Sequence, residues 1–280
     1  MRALRGGLPL MAPSLAIFLL IFAGPVLYFF VVSFWTKDGT DMVATLVLDN
    51  YVETFADYSR PLAFTFGIAF AIGVLTTLLA FCYAYVIRFK AGRFGLPLLF
   101  AALFTLFGGY LSKVYVWKTI LGKIGLLNSA LLALGLIDQP IGLFLYSPVA
   151  VVITLTHYML PLAILPIYGA LRSIDDAPLR GARDLGAGPL RVLWDVVLPQ
   201  CNGGILIAFA LTFLFAAGDW VTPKIVGGPY TSMIGTFIEY QYGSRFNQPL
   251  GAAMAFTVIG LCVLVVAAMG LLLRWSLRPR

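Results

Sequence analysis

The sequence contains six apolar stretches that are each about as long as a membrane-spanning helix, although polar residues interrupt some of them. A helix needs about 20 predominantly apolar residues to cross the hydrocarbon core of a bilayer. Only 11% of all residues are charged, against roughly a quarter in soluble domains. A soluble fold is therefore excluded, and we predict an all-α, polytopic membrane helix bundle. The predicted transmembrane helices are Leu10–Trp35, Pro61–Ile87, Leu96–Tyr115, Ser147–Leu171, Asn202–Trp220 and Leu250–Leu273.

The first apolar run could be mistaken for a secretory signal peptide, because Arg2 and Arg5 precede it. It extends from Leu8 to Trp35, whereas the apolar region of a signal peptide has about 7–15 residues and leads to a small-residue cleavage site. No A-x-A site closes the run. We therefore predict that it remains in the protein as the first transmembrane helix.

The distribution of basic residues predicts which side of the membrane each loop occupies. Cytoplasmic loops of membrane proteins carry an excess of Lys and Arg. With both termini inside, 12 of the 19 basic residues lie in inner segments, while the acidic residues from Asp38 to Asp57 fall in the first outer loop. The net charge of +7 is then mainly an orientation signal, and no nucleic acid partner is needed to explain it. The inner basic residues are Arg2, Arg5, Arg88, Lys90, Arg93, Arg172, Arg180, Arg183, Arg191, Arg274, Arg278 and Arg280.

One predicted inner loop is unusually rich in charge. Residues 172–200, RSIDDAPLRGARDLGAGPLRVLWDVVLPQ, contain four arginines and four aspartates, and we call this segment the charged loop. Ser173 or Asp175 is a candidate N-cap for a short helix that Gly186 ends, and Gly188-Pro189 starts a second helix, which ends where Pro199 bends the chain back. Leu179, Ala182 and Leu185 are expected on one helix face, because they recur at intervals of three. This pattern suits a helix pair that docks into a partner, although charged loops often serve only to be solvated.

Residues for catalysis are missing from the sequence. It lacks the G-x-x-x-x-G-K-[ST] pattern that cradles nucleotide phosphates, the nearest match being LGKIG at 121–125. His157, the single histidine, has no acidic neighbour in sequence, and the three cysteines are far apart. We predict no catalytic residue, no metal site and no cofactor in this chain, so any ATP hydrolysis must take place on a partner.

The charged loop resembles the EAA-type loop of ABC-importer permeases, whose pattern is E-A-A-x-x-x-G, nine residues, then I-x-L-P. ARDLGA at Ala182–Ala187, followed by Val196, Leu198 and Pro199, carries the resemblance, while Arg180 and Gly181 depart from the pattern. In that family the loop is the coupling helix that seats in a groove of the cytosolic ATPase. The resemblance therefore implies contact with an ATPase through Asp175, Leu179, Ala182, Asp184, Leu185, Gly186 and Ala187.

The C-terminal part of the sequence resembles the spermidine/putrescine-type permeases. The similar segments are GDWVTPKIVGGPYTSMIGTFI at Gly218–Ile238 and QPLGAAMAF at Gln248–Phe256. The resemblance implies a type I importer fold, with residues 1–60 as the first transmembrane helix and outer loop and residues 61–280 as the permease core. It also implies a bacterial plasma membrane location with both termini cytoplasmic. The implied partners are a second homologous permease, two ATPase subunits that bind ATP-Mg, and an extracytoplasmic substrate-binding protein.

The substrate implied by the resemblance is a polyamine, with aminoethylphosphonate, opines or similar small solutes as alternatives. Asp219 with Trp220, and Glu239 with Tyr240, are our candidates for the substrate path, because an acid beside an aromatic ring attracts an amine. Alternatively Asp219 caps a helix or pairs with Lys224, and Glu239 pairs with Arg245. A secondary transporter that works without ATP is a second class of function, but we find no internal repeat to support it.

Overall fold

The computed structural model describes residues 13–39 and 41–277, and helices make up most of this part of the chain. The apolar stretches fold as helices because a helix satisfies its own backbone hydrogen bonds, which lipid cannot do. A two-stranded antiparallel hairpin, β1 (Thr36–Asp38) with β2 (Asp41–Val43), follows the first helix. The helices are α1 (Pro13–Val32), α2 (Asp49–Asp57), α3 (Ser59–Phe89), α4 (Gly95–Phe104), α5 (Tyr110–Leu121), α6 (Leu126–Ala133), α7 (Pro148–Arg172), α8 (Asp176–Asp184), α9 (Pro189–Gly218), α10 (Ile234–Gly243) and α11 (Gln248–Ser276).

Five of the helices in the described residues are long and apolar enough to cross a membrane, namely α1, α3, α7, α9 and α11. They correspond to the first, second, fourth, fifth and sixth predicted transmembrane helices. The prediction of an all-α membrane protein is therefore confirmed. Arg2, Arg5, Arg278 and Arg280, and the residues of the first predicted helix before Pro13, lie outside the described residues.

The third predicted transmembrane helix, Leu96–Tyr115, is not one continuous helix. A helical segment at Gly92–Phe107 and a second at Tyr110–Ala133 meet at an angle of 98°. If this bent pair counts as one membrane span, the described residues contain six candidate spans and not five. Gly108 and Gly109 separate them with extended backbone, at ψ 127° and 143°. Two adjacent glycines weaken a helix, because they gain little from helical packing and lose much conformational freedom.

The fifth transmembrane helix is longer than predicted, because α9 already begins at Pro189 within the charged loop. Pro199 does not bend the chain away from this helix, so the predicted end of a separate second helix at Leu198 is wrong. A π-type turn at Leu193–Val197 comes directly before Pro199. The wider turn accommodates a residue that lacks an N–H donor, and the helix continues to Gly218.

The described chain divides into two compact units. The first unit contains the described residues up to Arg60 together with Phe237–Ile259. Within it, the rings of Phe30 and Phe256 pack edge to face with centroids 5.0 Å apart. The buried Asn50 amide donates hydrogen bonds to the carbonyls of Ser33 and Trp35, so that α2 is fixed to the segment that follows α1.

The second unit contains Pro61–Thr236 and the described residues from Gly260 onward. Its core lies between α3, α7 and α9, and the N-terminal half of α9 packs closely on α7. A side chain at Gly204 would place its Cβ 2.7 Å from both Ala170 Cβ and the Pro166 carbonyl oxygen, so only glycine allows this approach. The core residues are Ala80, Ala84, Ala163, Ile164, Ile167, Leu171, Ile174, Leu179, Val192, Val197, Cys201 and Ala208.

Candidate functional site

The charged loop folds as the expected short helix and sharp turn, and then continues directly into α9. Asp175 is extended and precedes α8, although its side chain forms no capping hydrogen bond. Gly186 follows α8 with φ at +84°, a conformation that glycine adopts without strain. The Gly186 amide donates to Arg183 O and the Ala187 amide donates to Ala182 O, which satisfies carbonyls at the end of α8. The turn is thus a defined structure at the apex of the loop.

The predicted apolar face of α8 is not continuous. Leu179 is only 5% exposed and packs with Ala182 and Ala187 in the core of the second unit. Leu185 is 90% exposed. It lies outside that face because α8 ends at Asp184 and the chain turns there. The expectation that Leu179, Ala182 and Leu185 share one face is therefore wrong, and the exposed apex consists of Asp184, Leu185 and Gly186.

Ion pairs explain part of the charge in this loop. Arg88, in the last turn of α3, donates to the Asp176 carboxylate at 2.9 Å and to the Ile174 carbonyl at 3.5 Å. Arg180 lies 3.8 Å from the same carboxylate. Arg191 and Asp195 pair at 3.2 Å within α9. Asp176 therefore connects the start of α8 to the end of α3, which ties the charged loop to a transmembrane helix.

Asp219 lies between the end of α9 and the next helical turn, and only one of its two carboxylate oxygens is hydrogen-bonded within the described residues. Its Oδ1 accepts hydrogen bonds from the Tyr110 hydroxyl at 2.6 Å and from the Val221 amide at 3.0 Å. Thr222 is 2.7 Å from the Tyr110 hydroxyl and donates to it, since Tyr110 gives its own proton to Asp219. Asp219 is 7% exposed, and its Oδ2 has no hydrogen-bond partner in the described part of the chain. The side chain therefore caps a turn and still presents one free carboxylate oxygen.

The phenol that donates to this carboxylate belongs to a cluster of three aromatic rings. The Tyr110 ring packs on Tyr158 at 4.9 Å and on Phe215 at 5.8 Å, and Tyr158 and Phe215 are 5.4 Å apart. The Lys113 ammonium lies 5.1 Å from the centre of the Tyr158 ring. Our sequence reasoning missed Tyr110, Lys113 and Tyr158. The glycine pair before Tyr110 was the available signal, because it ends one helix and directs the next toward Asp219.

The other three substrate-path candidates have intramolecular neighbours. The Lys224 ammonium lies 5.0 Å over the Trp220 ring, and the Arg245 guanidinium lies 5.4 Å over the Tyr240 ring. Each ring therefore already has a cation from this chain on one face. Glu239 is half-buried on α10, one residue before Tyr240. Asp219 and Trp220 belong to the second compact unit, whereas Glu239 and Tyr240 belong to the first.

His157 and Tyr242 each have a packing or hydrogen-bonding role within the protein. His157 accepts a hydrogen bond at Nδ1 from the Trp117 indole at 3.1 Å, so it makes a contact between two helices. Burial raises the pKa of the Tyr242 phenol, so this side chain stays neutral beside Phe29. Over residues 13–39 and 41–277, no group of three or more His, Cys, Asp or Glu side chains is arranged to hold a metal ion.

Comparison with known proteins gives consistent results along the chain. The family described as "Binding-protein-dependent transport system inner membrane component" matches residues 94–277. The spermidine/putrescine transport system permease protein PotB of Haemophilus influenzae is 30% identical over 243 residues, which cover 86% of this chain and 84% of the relative. PotB of Escherichia coli is 31% identical over 238 residues, which cover 83% of this chain and 86% of the relative.

Two further similarities bear on the fold and the substrate. A bacterial alginate ABC transporter, crystallised with an alginate pentasaccharide-bound periplasmic protein, has a chain with a TM-score of 0.74 at 13% identity. The match covers 93% of this chain and 91% of that chain, and it shows a shared fold. A putative 2-aminoethylphosphonate transport system permease protein, PhnU of Salmonella typhi, is 34% identical over 108 residues. That match covers 39% of this chain and 37% of the relative.

Proposed function

This chain belongs to the family of binding-protein-dependent transport system inner membrane components, and from this premise we propose that its ABC importer carries polyamines. The chain is a multi-pass permease subunit of the importer and not an enzyme, since ATP is hydrolysed by a separate subunit in this class. Its partners are of the kinds found in such importers, a substrate-binding protein and ATPase subunits. We propose in addition the substrate, the subunit composition of the importer, and the residues that contact the ATPase and the substrate.

We propose a complex of this chain with a second homologous permease, two ATPase subunits that bind ATP-Mg, and one extracytoplasmic binding protein. In this complex both termini and the charged loop lie in the cytoplasm, and the excess of basic residues in these segments supports that orientation. The chain itself binds no cofactor. The exposed apex of the loop, Asp184 to Gly186, together with Asp175 and Ala187, contacts the ATPase, while Leu179 and Ala182 hold α8 in place.

Transport then follows from alternating access. ATP binding closes the ATPase pair, and the apex of the charged loop moves with the ATPase surface. α8 transmits this movement along two connections, the Arg88–Asp176 ion pair to α3 and the buried Leu179 to the core between α7 and α9. The permease thereby opens toward the binding protein or toward the cytoplasm in turn. No covalent chemistry takes place in this chain.

The free oxygen of Asp219 is the single observation that carries the substrate class. A buried carboxylate oxygen without a partner is unfavourable, and an ammonium group would relieve it. The Tyr110 ring, which packs on Tyr158 and Phe215, would add cation–π attraction, worth about 0.5–2 kcal/mol for each contact. Because Asp219 is nearly closed off in this conformation, the substrate reaches it only when the helices around it separate. PotB, a spermidine/putrescine permease, is similar to this chain over 83% to 86% of its length, which supports a polyamine substrate.

A second candidate substrate is a zwitterion that carries an amine and an anionic group. Lys113 favours it, since its buried Nζ has no hydrogen-bond partner in the described residues and lies beside Tyr158. Such a lysine would repel a polyamine and attract a phosphonate or carboxylate. The partial similarity to a putative 2-aminoethylphosphonate permease agrees with this alternative.

A transport assay with the complete importer in proteoliposomes separates the two candidates. Putrescine, spermidine, 2-aminoethylphosphonate and a neutral amino acid are supplied in turn, with matching binding protein outside and ATP inside. We expect ATP-dependent uptake of the two polyamines. Uptake of 2-aminoethylphosphonate alone would replace the polyamine proposal with the zwitterion, and uptake without ATP would indicate a secondary transporter.

A further inference from the structure

A cavity of about 300 Å³ lies between the end of α3 and the charged loop. The last residues of α3, one side of α8 and the start of α9 form its walls. The described wall contains four cationic side chains, namely Arg88, Lys90, Arg180 and Arg183. It also contains one carboxylate, that of Asp176. Because three separate segments contribute to it, the cavity is a concave site in the fold and not a stretch of exposed surface.

The positive charge in this cavity exceeds the negative charge that faces it. Asp176 is already shared between Arg88 at 2.9 Å and Arg180 at 3.8 Å. Lys90 and Arg183 form no ion pair with any residue in the described ranges. Cationic side chains that line the same partly enclosed space repel one another, and water weakens this repulsion less there than on an open surface. An anion in the cavity would remove this repulsion.

Arg88 is held in position before any ligand arrives. Its side chain is 26% exposed, and its guanidinium donates to the Asp176 carboxylate and to the Ile174 carbonyl. A guanidinium fixed in this way loses little conformational entropy when it binds a further acceptor. Guanidinium groups match the oxygens of phosphate in shape and charge. The wall of the cavity therefore suits a phosphate group.

The location favours a phosphate that belongs to a lipid. Tyr85, Arg88 and Phe89 line the cavity and belong to the last two turns of α3, a helix long and apolar enough to span the membrane. Aromatic side chains are common where such helices leave the bilayer, and basic pockets at this level bind acidic lipid headgroups. We propose that the cavity binds a phosphate group, supplied by an anionic phospholipid headgroup or by a soluble phosphate. This site is independent of the substrate that the importer carries.

The test measures phospholipid and phosphate retained by the complete importer. The detergent-purified complex is incubated with labelled phosphatidylglycerol, with labelled phosphatidylcholine as the neutral control, and separately with labelled inorganic phosphate. The cavity variant is the double substitution Lys90→Gln with Arg183→Gln. Its matched control is Arg93→Gln with Arg191→Gln, which likewise removes one charge from the connection after α3 and one from the charged loop, at residues outside the cavity wall.

We expect the importer to retain phosphatidylglycerol above phosphatidylcholine, and the cavity variant to retain roughly tenfold less, since each basic residue contributes modestly to headgroup binding. The control variant should bind like the parent, and the pair Lys90→Arg with Arg183→Lys should keep binding, which excludes misfolding as the cause. Retention of inorganic phosphate and not of the lipid would support the site with a soluble ligand. Retention of neither, or equal losses in the cavity and control variants, would overturn the proposal.

Discussion

Asp219 has a structural role through one carboxylate oxygen and, in our proposal, a role in transport through the other. Its Oδ1 caps the turn after α9 through the Val221 amide and accepts the Tyr110 hydroxyl, which lies 109 positions earlier in the sequence. The Oδ2 atom is buried without a partner in the described residues. The structural explanation that we considered for this residue, a helix cap, therefore accounts for one oxygen only. The second oxygen is the part of the residue that our proposal uses.

Asp219→Asn separates these two roles. The amide oxygen of asparagine can still accept from Tyr110 and Val221, so the turn and the stability of the protein should be retained. The negative charge is lost, and we expect the importer to take up putrescine at least about tenfold more slowly at low concentration, a change of about 1.4 kcal/mol or more. Uptake of labelled putrescine into proteoliposomes measures the effect, with ATP hydrolysis as the second readout.

Three further variants control this experiment. Tyr110→Phe removes the hydrogen bonds with Asp219 and Thr222 but keeps the charge of Asp219, so its effect on uptake should be smaller. Asp57→Asn removes an exposed carboxylate and should leave uptake unchanged. Glu239→Gln tests the other predicted acid in the same assay. If Asp219→Asn imports putrescine at the parental rate, Asp219 does not contact the substrate.

At the scale of the element, the charged loop consists of a fixed base and an exposed apex. Leu179 and the Arg88–Asp176 pair attach α8 to the core, while Gly186 turns the chain sharply after Asp184. An exposed leucine at the apex gains nothing within this chain. Leu185 lies beside a turn whose two sides are attached to the core, through Leu179 before it and Ala187 after it. A force applied to Leu185 by a docked partner would therefore move α8 as a whole and would not merely bend the loop.

Leu185→Asp is expected to uncouple transport without unfolding the permease. Leu185 is 90% exposed, so the substitution removes almost no contact within the chain. In the assembled importer it would place a carboxylate in a desolvated interface, which costs several kcal/mol when the charge stays unpaired. We expect loss of ATPase subunits from the purified complex and loss of ATP-dependent uptake, with normal insertion in the membrane.

The matched control is Leu46→Asp, at a leucine that is 86% exposed in the segment after the β1–β2 hairpin. This variant should assemble and transport like the parent. Normal ATPase association and full uptake by Leu185→Asp would show that the apex does not dock. Equal losses in both variants would instead point to a general effect of an added carboxylate on membrane insertion.

At the scale of the whole molecule, the bent pair of helices decides the topology. If Gly92–Phe107 and Tyr110–Ala133 together cross the membrane once, the described chain crosses six times. The charged loop then lies on the same side as the N-terminus. If the bent pair enters and leaves on one side, the chain crosses five times, and the charged loop lies on the opposite side. The basic residues favour six crossings.

Labelling with a thiol reagent that cannot cross the membrane distinguishes these topologies. Asp41→Cys, Asp184→Cys and Lys224→Cys are introduced one at a time after replacement of the native cysteines, and all three positions are exposed. We expect intact cells to be labelled at positions 41 and 224 and protected at 184, because six crossings place only the last of these in the cytoplasm. Permeabilised cells, in which position 184 should react, provide the control. Labelling at 41 and 184 with protection at 224 would indicate five crossings.

Much of the fold could be predicted from the sequence, because the bilayer acts on each apolar stretch separately. The need to satisfy backbone hydrogen bonds in lipid makes such a stretch helical whatever its neighbours are, so α1, α3, α7 and α11 were predicted with small errors at their ends. α9 was also predicted, but it begins at Pro189, well before its predicted start at Asn202. The short helix of the charged loop and its end at Gly186 were predicted for a similar reason. Caps and glycine turns depend on the few residues around them.

The features that depend on distant partners were decided only by the tertiary structure. Tyr110 meets Asp219, and Arg88 meets Asp176, across about a hundred positions of sequence, and no local pattern specifies either contact. The burial of Leu179 on a different side from the exposed Leu185 was likewise missed, since spacing describes a helix face only as far as the helix extends. The sequence by itself determined a helical membrane protein with a charged helix-and-turn loop, because those properties follow from local chemistry and the solvent. Packing of the helices determined which charges meet, and therefore which residues are candidates for function.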